Sequence, residues 1–325
     1  MSGRDAVVLV TARSFGGSRP ELREELEGAV REVRWNDLGR PLTGEELREA
    51  IAGVDGVVAG VDRFDAGVIA AAPRLRVIAR HGTGTDAVDL DAARSAGVVV
   101  TNTPGANSVA VAELALGLMF ALARRIPEGD RRVRAGEYGA LTGVQLGGRT
   151  VGLIGLGRVG SEVARRTAAL GCRVLAFDPA VSAEQAGAVG ATLADQERVV
   201  AEADFLSLHV PVTEATRDLV DAGFLRRMKG GAFLVNTARG ELVVEDDLAE
   251  ALQAGRPAGA ALDTTREEPP RPGNPLLERD DVILTPHSGA QTDEARAAMG
   301  RAALDDLLAV LDGRVPRHPV VTPDG

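Results

Sequence analysis

An apolar run that ends in a glycine turn constrains this chain more than any other feature. Residues 150–160 read TVGLIGLGRVG, so Gly155, Gly157 and Gly160 form the pattern G-x-G-x-x-G before a helical segment. The first glycine permits a tight turn, the second lets the backbone approach a pyrophosphate, and the third lets helix and strand pack closely. Because the free N–H groups at a helix start attract phosphates, the segment predicts a dinucleotide-binding βαβ unit.

An acidic residue follows the second strand of this unit. The apolar run 172–177 ends in Asp178, 18 residues beyond the last glycine of the turn. A carboxylate there accepts hydrogen bonds from the adenosine ribose and repels a 2′-phosphate. No Arg or Lys follows within ten residues to bind that phosphate. The sequence therefore predicts NAD rather than NADP, and an ordinary turn aspartate before Pro179 is the alternative.

The composition excludes several classes of protein. A chain of 325 residues has the length of two domains. A net charge of −10 argues against binding to a nucleic-acid backbone. The single Cys172 excludes an intramolecular disulfide and a cysteine-rich metal site, and no metal is expected. We find no signal-peptide core at the start and no apolar stretch long enough for a bilayer, and so expect a soluble, cytoplasmic protein.

Strand-like and helix-like segments alternate from residue 6 to about residue 101. This alternation predicts a parallel sheet covered by helices on both faces. The predicted strands are 6–10, 56–59, 76–79 and 97–101, and the predicted helices are 21–29, 43–51, 65–71 and 89–96.

A turn at 102–105 separates this part from a long helix, 107–125, that is apolar on most sides and is therefore expected in a core or between subunits. We expect a discontinuous substrate-binding domain, 1–101 plus 291–325, and an NAD-binding domain, 102–290, with the active site in the cleft between them. Beyond the glycine unit, strands are predicted at 191–193, 205–208, 232–236, 259–262 and 282–284, and a last helix at 293–311.

Polar segments follow three of these apolar strands, where ligand-facing residues of α/β sheets lie. Segment 236–240 contains Arg239, whose planar guanidinium matches a carboxylate bidentately. Segment 263–270 is acidic, and segment 284–290 carries His287. A carboxylate about 20 residues upstream would orient the His287 ring and raise its pKa, as proton transfer requires. From the residues alone, a surface arginine and a structural histidine remain alternatives.

Together these segments resemble the NAD-dependent D-isomer-specific 2-hydroxyacid dehydrogenases, most closely the 3-phosphoglycerate dehydrogenase-like branch. The resemblance covers nearly the whole chain. It implies an α/β fold of two doubly wound parallel-sheet domains, a Rossmann NAD-binding domain and a flavodoxin-like substrate domain. It also implies interconversion of a D-2-hydroxy acid and its 2-keto acid. The motifs are RHGTGTD at 80–86, NTPGANS at 102–108, the glycine turn, SLHVP at 207–211, NTARG at 236–240, DTTREEP at 263–269 and TPH at 285–287.

The resemblance implies a catalytic set of three residues. Arg239 would bind the substrate carboxylate and polarise the carbonyl, and His287 would transfer the proton. Glu268, which unlike Glu267 immediately precedes the proline, would hold the histidine ring. Asp263 would contact the nicotinamide end of the cofactor. The implied cofactor-binding residues are Gly155, Gly157, Arg158, Val159, Gly160, Asp178, Val210, Pro211, Thr237, Ala238, Asp263, His287 and Gly289.

On the substrate side, the resemblance implies that backbone N–H groups of the 82–84 loop face the substrate carboxylate. It further implies a small 2-hydroxy or 2-keto acid as the partner, with no nucleic acid and no membrane, and a homodimer formed through the helix 107–125. The implied substrate residues are Gly60, His81, Thr83, Gly84, Asn107 and Arg239.

The chain also departs from the phosphoglycerate dehydrogenase pattern. Ala59 and Gly60 stand where an Arg–Ser pair is expected to bind the substrate phosphate, and Asp62 would weaken the field of Arg63. His81 replaces a small residue, so it either adds a pocket contact or caps a turn. Whether the acid carries a phosphate, a phosphonate or a small side chain is therefore left open.

The end of the chain at residue 325 leaves no room for regulatory domains, so we expect no serine-type feedback. Two other functions are alternatives on the same fold. One is a non-catalytic NAD-binding regulator of the corepressor type, and the other is a phosphite dehydrogenase. Glu268 disfavours a formate enzyme, which carries glutamine at that position.

Overall fold

The computed structural model describes residues 3–322 of the chain. Residues 1–2 and 323–325, the outermost ends of the predicted substrate domain, lie outside that range. The chain divides into two compact units, Met1–Asn107 with Gln291–Gly325, and Ser108–Ala290. Within the described range, no helix is both long and apolar enough to cross a membrane.

The first unit alternates strands and helices from its start. All eight elements predicted in its N-terminal part are present, with bounds within two residues of the predicted ones. Strand β2 is additional. The sequence did not predict it because its four residues, EVRW, are exposed or half-buried and form no apolar run. The elements are β1 Val7–Val10, α1 Glu21–Ala29, β2 Glu32–Trp35, α2 Gly44–Ala50, β3 Gly56–Ala59, α3 Ala66–Ala70, β4 Val77–Arg80, α4 Leu90–Ser95 and β5 Val99–Thr101.

The second unit begins with two helices. Arg125, with φ of 52°, ends the first of them in the left-handed region, and Pro127 suits the start of the second. The elements are α5 Ser108–Arg124, α6 Ile126–Arg134, β6 Thr150–Ile154, α7 Arg158–Ala169, β7 Arg173–Phe177, α8 Ala183–Gly187, β8 Ala191–Leu193, α9 Gln196–Glu202, β9 Phe205–Leu208, α10 Ala222–Arg227, β10 Phe233–Asn236, α11 Glu245–Gln253, β11 Gly259–Leu262 and β12 Val282–Leu284.

The chain then returns to the first unit through helix α12, Asp293–Leu311, and strand β13, Pro319–Val321. The sheet of this unit has the order β13-β5-β4-β3-β1-β2, with β1 to β5 parallel and β13 antiparallel at the edge. The order 2-1-3-4-5 is that of the flavodoxin-like fold. Asp306 of α12 holds the segment before β13, because its carboxylate accepts the Arg317 N–H at 2.7 Å and contacts His318 Nδ1 at 2.9 Å.

The sheet of the second unit has the order β12-β11-β10-β9-β6-β7-β8, and every pair in it is parallel. Counted from β6, this is the Rossmann order 3-2-1-4-5-6 with one further strand. The predicted fold class of two doubly wound parallel sheets is therefore confirmed. The carboxyl ends of β6, β9, β10 and β11 meet at one edge of this sheet, where the predicted motifs lie.

In each sheet, one aspartate at the amino-terminal edge accepts a hydrogen bond from the backbone of a neighbouring strand. Asp55 precedes β3 and accepts the Val7 N–H of β1 at 2.8 Å, together with the Arg74 guanidinium. In the second unit, Asp204 precedes β9 and accepts the Thr150 N–H of β6 at 2.9 Å. Each carboxylate thus satisfies the N–H group of the first residue of a neighbouring strand in its own sheet.

We expect Asp55→Ala to destabilise the first unit by about 2–3 kcal/mol, because a buried backbone N–H group loses its acceptor. Urea unfolding followed by the fluorescence of Trp35, the single tryptophan of the chain, reports on this unit. Asp91→Ala is the control, since Asp91 is 94% exposed in its ion pair with Arg94 and should contribute less than about 0.5 kcal/mol. Equal unfolding midpoints for the two variants would contradict the expectation.

Candidate active site

The glycine turn after β6 leaves room for a ligand at the start of α7. Gly155 has a φ of 96°, and a Cβ atom there would lie 2.5 Å from the His209 carbonyl oxygen. At Gly160 a Cβ would collide with the Gly155 carbonyl, so only glycine allows the close packing of helix and strand. At Gly157, in contrast, a Cβ would meet no atom within 4 Å. The open side of the turn is therefore at Gly157.

The open side of the turn fits a dinucleotide. Gly157 is the N-cap of α7 and provides no side-chain cap, so the first N–H groups of the helix are available to phosphate oxygens. Asp178 follows β7, and its Oδ2 accepts the Leu156 N–H at 2.8 Å. The carboxylate is thus fixed beside the turn, where it can also face a ribose. Among the other predicted contacts, Arg158 is exposed, and Val159 packs partly against the core.

The segment after β9 lies against the glycine turn. Val210 Cγ1 is 2.9 Å from the position of a Cβ on Gly155, so the predicted contact residue Val210 is adjacent to the turn. The Pro211 carbonyl accepts the Thr216 hydroxyl at 2.6 Å, which closes the following loop. The burial of His209 lowers its pKa to about 4.

The segment after β10 is shaped by Asn236. Its side-chain amide donates to the Arg239 carbonyl at 2.8 Å, and its Oδ1 accepts the Ala238 N–H at 3.0 Å. Thr237 is buried, and its hydroxyl has no partner within residues 3–322. Gly240 then packs directly on the backbone of Thr265, because a Cβ there would overlap that backbone. This close approach brings Arg239 beside the segment that follows β11.

Asp263, at the end of β11, organises the segment that carries His287. It is 1% exposed, and its Oδ1 accepts the Thr285 hydroxyl at 2.6 Å and the Ser288 N–H at 2.7 Å. Its Oδ2 accepts the Gly289 N–H at 2.8 Å. Sequence reasoning gave Asp263 only a cofactor contact, and that contact stays a prediction. Its hydrogen bond with the Thr285 hydroxyl joins residues 22 positions apart, so no local sequence pattern predicted it.

His287 and Glu268 form the pair that the sequence proposed. His287 Nδ1 lies 2.8 Å from Glu268 Oε2, and the His287 N–H donates to the Asp263 carbonyl at 2.9 Å. The hydrogen bond to Glu268 raises the pKa of His287. Burial lowers this pKa, the charges of Glu268 and Asp263 raise it further, and the charge of Arg239 lowers it. Because Nδ1 is occupied, Nε2 is the nitrogen that can exchange a proton with a ligand.

In the first unit, the loop after β4 points its carbonyl groups into the protein. The Gly82 carbonyl accepts the Thr103 N–H at 3.1 Å, and the Thr83 carbonyl accepts the Asn102 side chain at 2.7 Å. The Gly84 carbonyl accepts Arg80 Nε at 3.0 Å. Because these three carbonyls are engaged, the N–H groups of the loop are the groups we expect to bind an anion, and that contact stays a prediction.

The structure places the remaining substrate-side predictions in the same unit. The Thr83 hydroxyl lies 3.1 Å from Asn107 Oδ1, so the two predicted residues are neighbours. His81 is buried, with its ring edge on Phe15 at 6.1 Å and Nδ1 3.5 Å from the Ser14 hydroxyl. Burial lowers the pKa of His81 to about 4. The ring thus packs on Phe15, and the substrate contact of His81 stays a prediction. The sequence did not single out Phe15 or Ser14 as its neighbours.

The model of the family described as "D-isomer specific 2-hydroxyacid dehydrogenase, NAD binding domain" matches residues 116–289. The chain belongs to this family. It is 45% identical over 269 residues to a D-3-phosphoglycerate dehydrogenase of Archaeoglobus fulgidus, an alignment that covers 82% of this chain and 51% of that protein. A glyoxylate reductase of Korarchaeum cryptofilum is 38% identical over 293 residues, which cover 88% of each chain.

Solved structures superpose on nearly the whole chain. The TT0316 protein from Thermus thermophilus is 40% identical with a TM-score of 0.86, and the match covers 97% of this chain and all of that one. D-lactate dehydrogenase from Aquifex aeolicus, complexed with NAD and lactic acid, is 25% identical with a TM-score of 0.84 over 98% and 99% of the two chains. The cofactor of this chain is accordingly NAD. The chain spans about half the length of the curated phosphoglycerate dehydrogenases that it matches.

We expect Glu268→Gln to lower the pKa of His287, because the variant removes the negative charge that stabilises the imidazolium. The measurement is an NMR pH titration of the His287 ring, which is distinguishable from His81 and His209 because burial keeps those two neutral down to about pH 4. Glu267→Gln is the matched control and should leave the His287 titration unchanged. An unchanged titration in both variants would refute the pairing.

Proposed function

We propose that this protein is an oxidoreductase that interconverts a D-2-hydroxy acid and its 2-keto acid with NAD. The observation that carries the proposal is the Glu268–His287 pair, at 2.8 Å, at the strand edge that also holds Arg239 and the glycine turn. The raised pKa of His287 suits a proton donor and acceptor near neutral pH. The D-3-phosphoglycerate dehydrogenases and glyoxylate reductases among its relatives support this class of reaction.

His287 performs the proton transfer in this proposal. In the direction of reduction, imidazolium Nε2 gives its proton to the substrate oxygen at C2, and the ring becomes neutral. In the direction of oxidation, neutral Nε2 takes the hydroxyl proton. Glu268 keeps Nδ1 as the donor to its own carboxylate, which fixes the tautomer and stabilises the imidazolium.

Arg239 binds the substrate. Its guanidinium remains charged at all relevant pH values and offers paired N–H donors to a carboxylate. Its Nη1 also donates to the Ala238 carbonyl at 2.7 Å, which orients the group. A fixed positive charge beside the C2 oxygen stabilises the negative charge that develops there in the transition state. Arg239 therefore serves both orientation and polarisation.

When bound, NAD⁺ would accept the hydride from C2 in the oxidation, and NADH would provide it in the reduction. Gly155 and Gly160 shape a turn whose open side, at Gly157, would hold the pyrophosphate at the start of α7, and Asp178 would hold the ribose. The second unit is accordingly the NAD-binding domain in this proposal. The first unit is the substrate domain, whose inward-turned carbonyls at 82–84 leave the loop N–H groups to a carboxylate.

We expect His287→Ala to lower kcat by about 10²–10⁴-fold, because general acid–base catalysis is lost. NADH oxidation is measured with glyoxylate, pyruvate and hydroxypyruvate, and NADH affinity is measured separately by its fluorescence. The affinity should be unchanged, since the glycine turn is intact. Near-normal turnover of His287→Ala would overturn the role of His287, and tight NADH binding by the wild type without turnover of any 2-keto acid would overturn the activity.

We also propose that the protein forms a homodimer through α5 and α6. One face of α5 is buried in the second unit, whereas Val109 and Phe120, three helical turns apart, are exposed on another. On α6, Ile126 and Val133 are seven residues apart and therefore share a face, and both are exposed. Exposed apolar side chains grouped on adjacent helices are typical of a subunit interface.

The double variant Ile126→Asp/Val133→Asp should convert this dimer to a monomer, because two charges would be buried without partners in the interface. Light scattering coupled to size-exclusion chromatography gives the mass directly. Val315→Asp, which changes an exposed apolar residue of the first unit, is the matched control and should keep the mass of the wild type. A wild-type mass of one chain would refute the proposal.

A further inference from the structure

The carboxyl end of β3 is the part of the first unit that a substrate side chain would reach. Strand β3 lies between β1 and β4, at the switch point of the sheet, where ligands of doubly wound folds bind. The Ala59 carbonyl, at the end of β3, accepts the His81 N–H at 2.9 Å and Arg80 Nη1 at 2.9 Å. Gly60 is therefore held next to the 82–84 loop.

On its other side, the 82–84 loop already accepts hydrogen bonds. Towards β5, the Asn102 side chain donates to the Thr83 carbonyl at 2.7 Å, and the Thr103 N–H donates to the Gly82 carbonyl. We take the C3 substituent of a 2-keto acid whose carboxylate is bound by the loop to lie towards β3, away from these contacts. Neighbouring strands are about 4.8 Å apart, so a group on C3 reaches Gly60.

Gly60 offers such a group no side-chain partner, and the fold forbids one. A Cβ at this position would lie 2.9 Å from the Thr11 carbonyl oxygen and 3.1 Å from Ala12 Cα. Both are backbone atoms at the end of β1, which cannot move aside without disturbing the sheet. The preceding Ala59 is fully buried in the core, so a long basic side chain has no space there either.

A negatively charged side chain, Asp62, lies next to Gly60. Asp62 is 2% exposed, and its Oδ1 accepts the Leu42 N–H at 2.7 Å. Its Oδ2 would lie 3.1 Å from a Cβ on Gly60 and has no hydrogen-bond partner within the described residues. A buried carboxylate oxygen without a partner repels a second anion strongly, because little water screens it.

The arginines of this region differ in their surroundings. Arg13 donates to the Gly39 carbonyl, Arg63 is exposed at the surface, and Arg296 is half-buried against Gly17 in the loop after β1. Arg80 contacts the peptide that joins Ala59 to Gly60, with donors that the Ala59 and Gly84 carbonyls occupy.

We infer that Asp62, acting across Gly60, restricts the substrate to 2-keto acids whose C3 substituent is small and uncharged, and excludes those that carry a phosphate. The inference rests on the proposed function, and it selects between the two activities that the relatives' names suggest. Asp62 acts as a specificity-determining charge and does not touch the reacting atoms, since its oxygens are buried.

Hydroxypyruvate and 3-phosphohydroxypyruvate test this inference, because they differ only in the phosphate. With NADH and the wild-type protein, kcat/KM should be at least about tenfold higher for hydroxypyruvate, a difference of about 1.4 kcal/mol. The preference should persist in 0.5 M salt, because a buried charge is weakly screened.

Asp62→Asn keeps the acceptor for the Leu42 N–H and removes the charge. It should raise kcat/KM for the phosphorylated acid by about tenfold and change that for hydroxypyruvate by less than about threefold. Asp65→Asn is the matched control, since it removes one charge from the same loop and keeps the cap that Asp65 provides to the Val68 N–H. Its ratio of kcat/KM values should equal that of the wild type.

A wild-type preference for the phosphorylated acid would overturn the inference, and so would an Asp62→Asn variant that changes both substrates equally. Either result would leave the proposed function standing, because a 2-keto acid is still reduced. A wild-type protein that binds NADH and reduces neither acid, nor glyoxylate or pyruvate, would instead overturn the proposed function.

Discussion

The buried carboxylate of Asp263 is the interaction on which the candidate active site depends. A charge that is 1% exposed is stable only when hydrogen-bond donors satisfy it, and Thr285, Ser288 and Gly289 provide three. These bonds hold His287 at a φ of 51°, in the left-handed region that costs a non-glycine residue of the order of 1 kcal/mol or more. Without the Asp263 carboxylate, three of the hydrogen bonds that hold this segment would be lost, and we expect the ring to lose its alignment with Glu268.

In both sheets, the amino-terminal and the carboxyl-terminal edges have different roles. At the amino-terminal edges, Asp55 and Asp204 satisfy backbone N–H groups and so hold β3 to β1 and β9 to β6. At the carboxyl edges, the strands end in glycine turns and polar segments whose hydrogen bonds turn inward, which leaves donors for a ligand. The amino-terminal edges therefore stabilise the sheets, and the carboxyl edges bind ligands. A substitution that changes substrate specificity, such as one at Asp62, need not disturb the hydrogen bond between Asp55 and Val7.

The sequence predicted the fold well where a strand is buried on both faces, because such a strand is a continuous apolar run. It did not predict β2 or β13, whose residues are partly exposed and are held by pairing and by Asp306. In the site, spacing alone left His287 ambiguous, and the resemblance to the family selected Glu268 over Glu267. The structural role of Asp263 and the burial of His81 depend on contacts distant in sequence, which no local pattern encodes.

The histidines show how one residue type acquires opposite behaviour from its surroundings. Burial lowers the pKa of His81 and His209 to about 4, so the native state keeps them neutral while the unfolded chain binds protons below about pH 6.5. They therefore reduce stability as the pH falls from about 6.5 towards 4. His287 has a raised pKa, so its protonation adds stability that is complete below its unfolded pKa and is lost as the pH rises through the native value. Falling pH thus lowers the stability of the native state through the two buried histidines, and Glu268 extends proton donation by His287 towards higher pH.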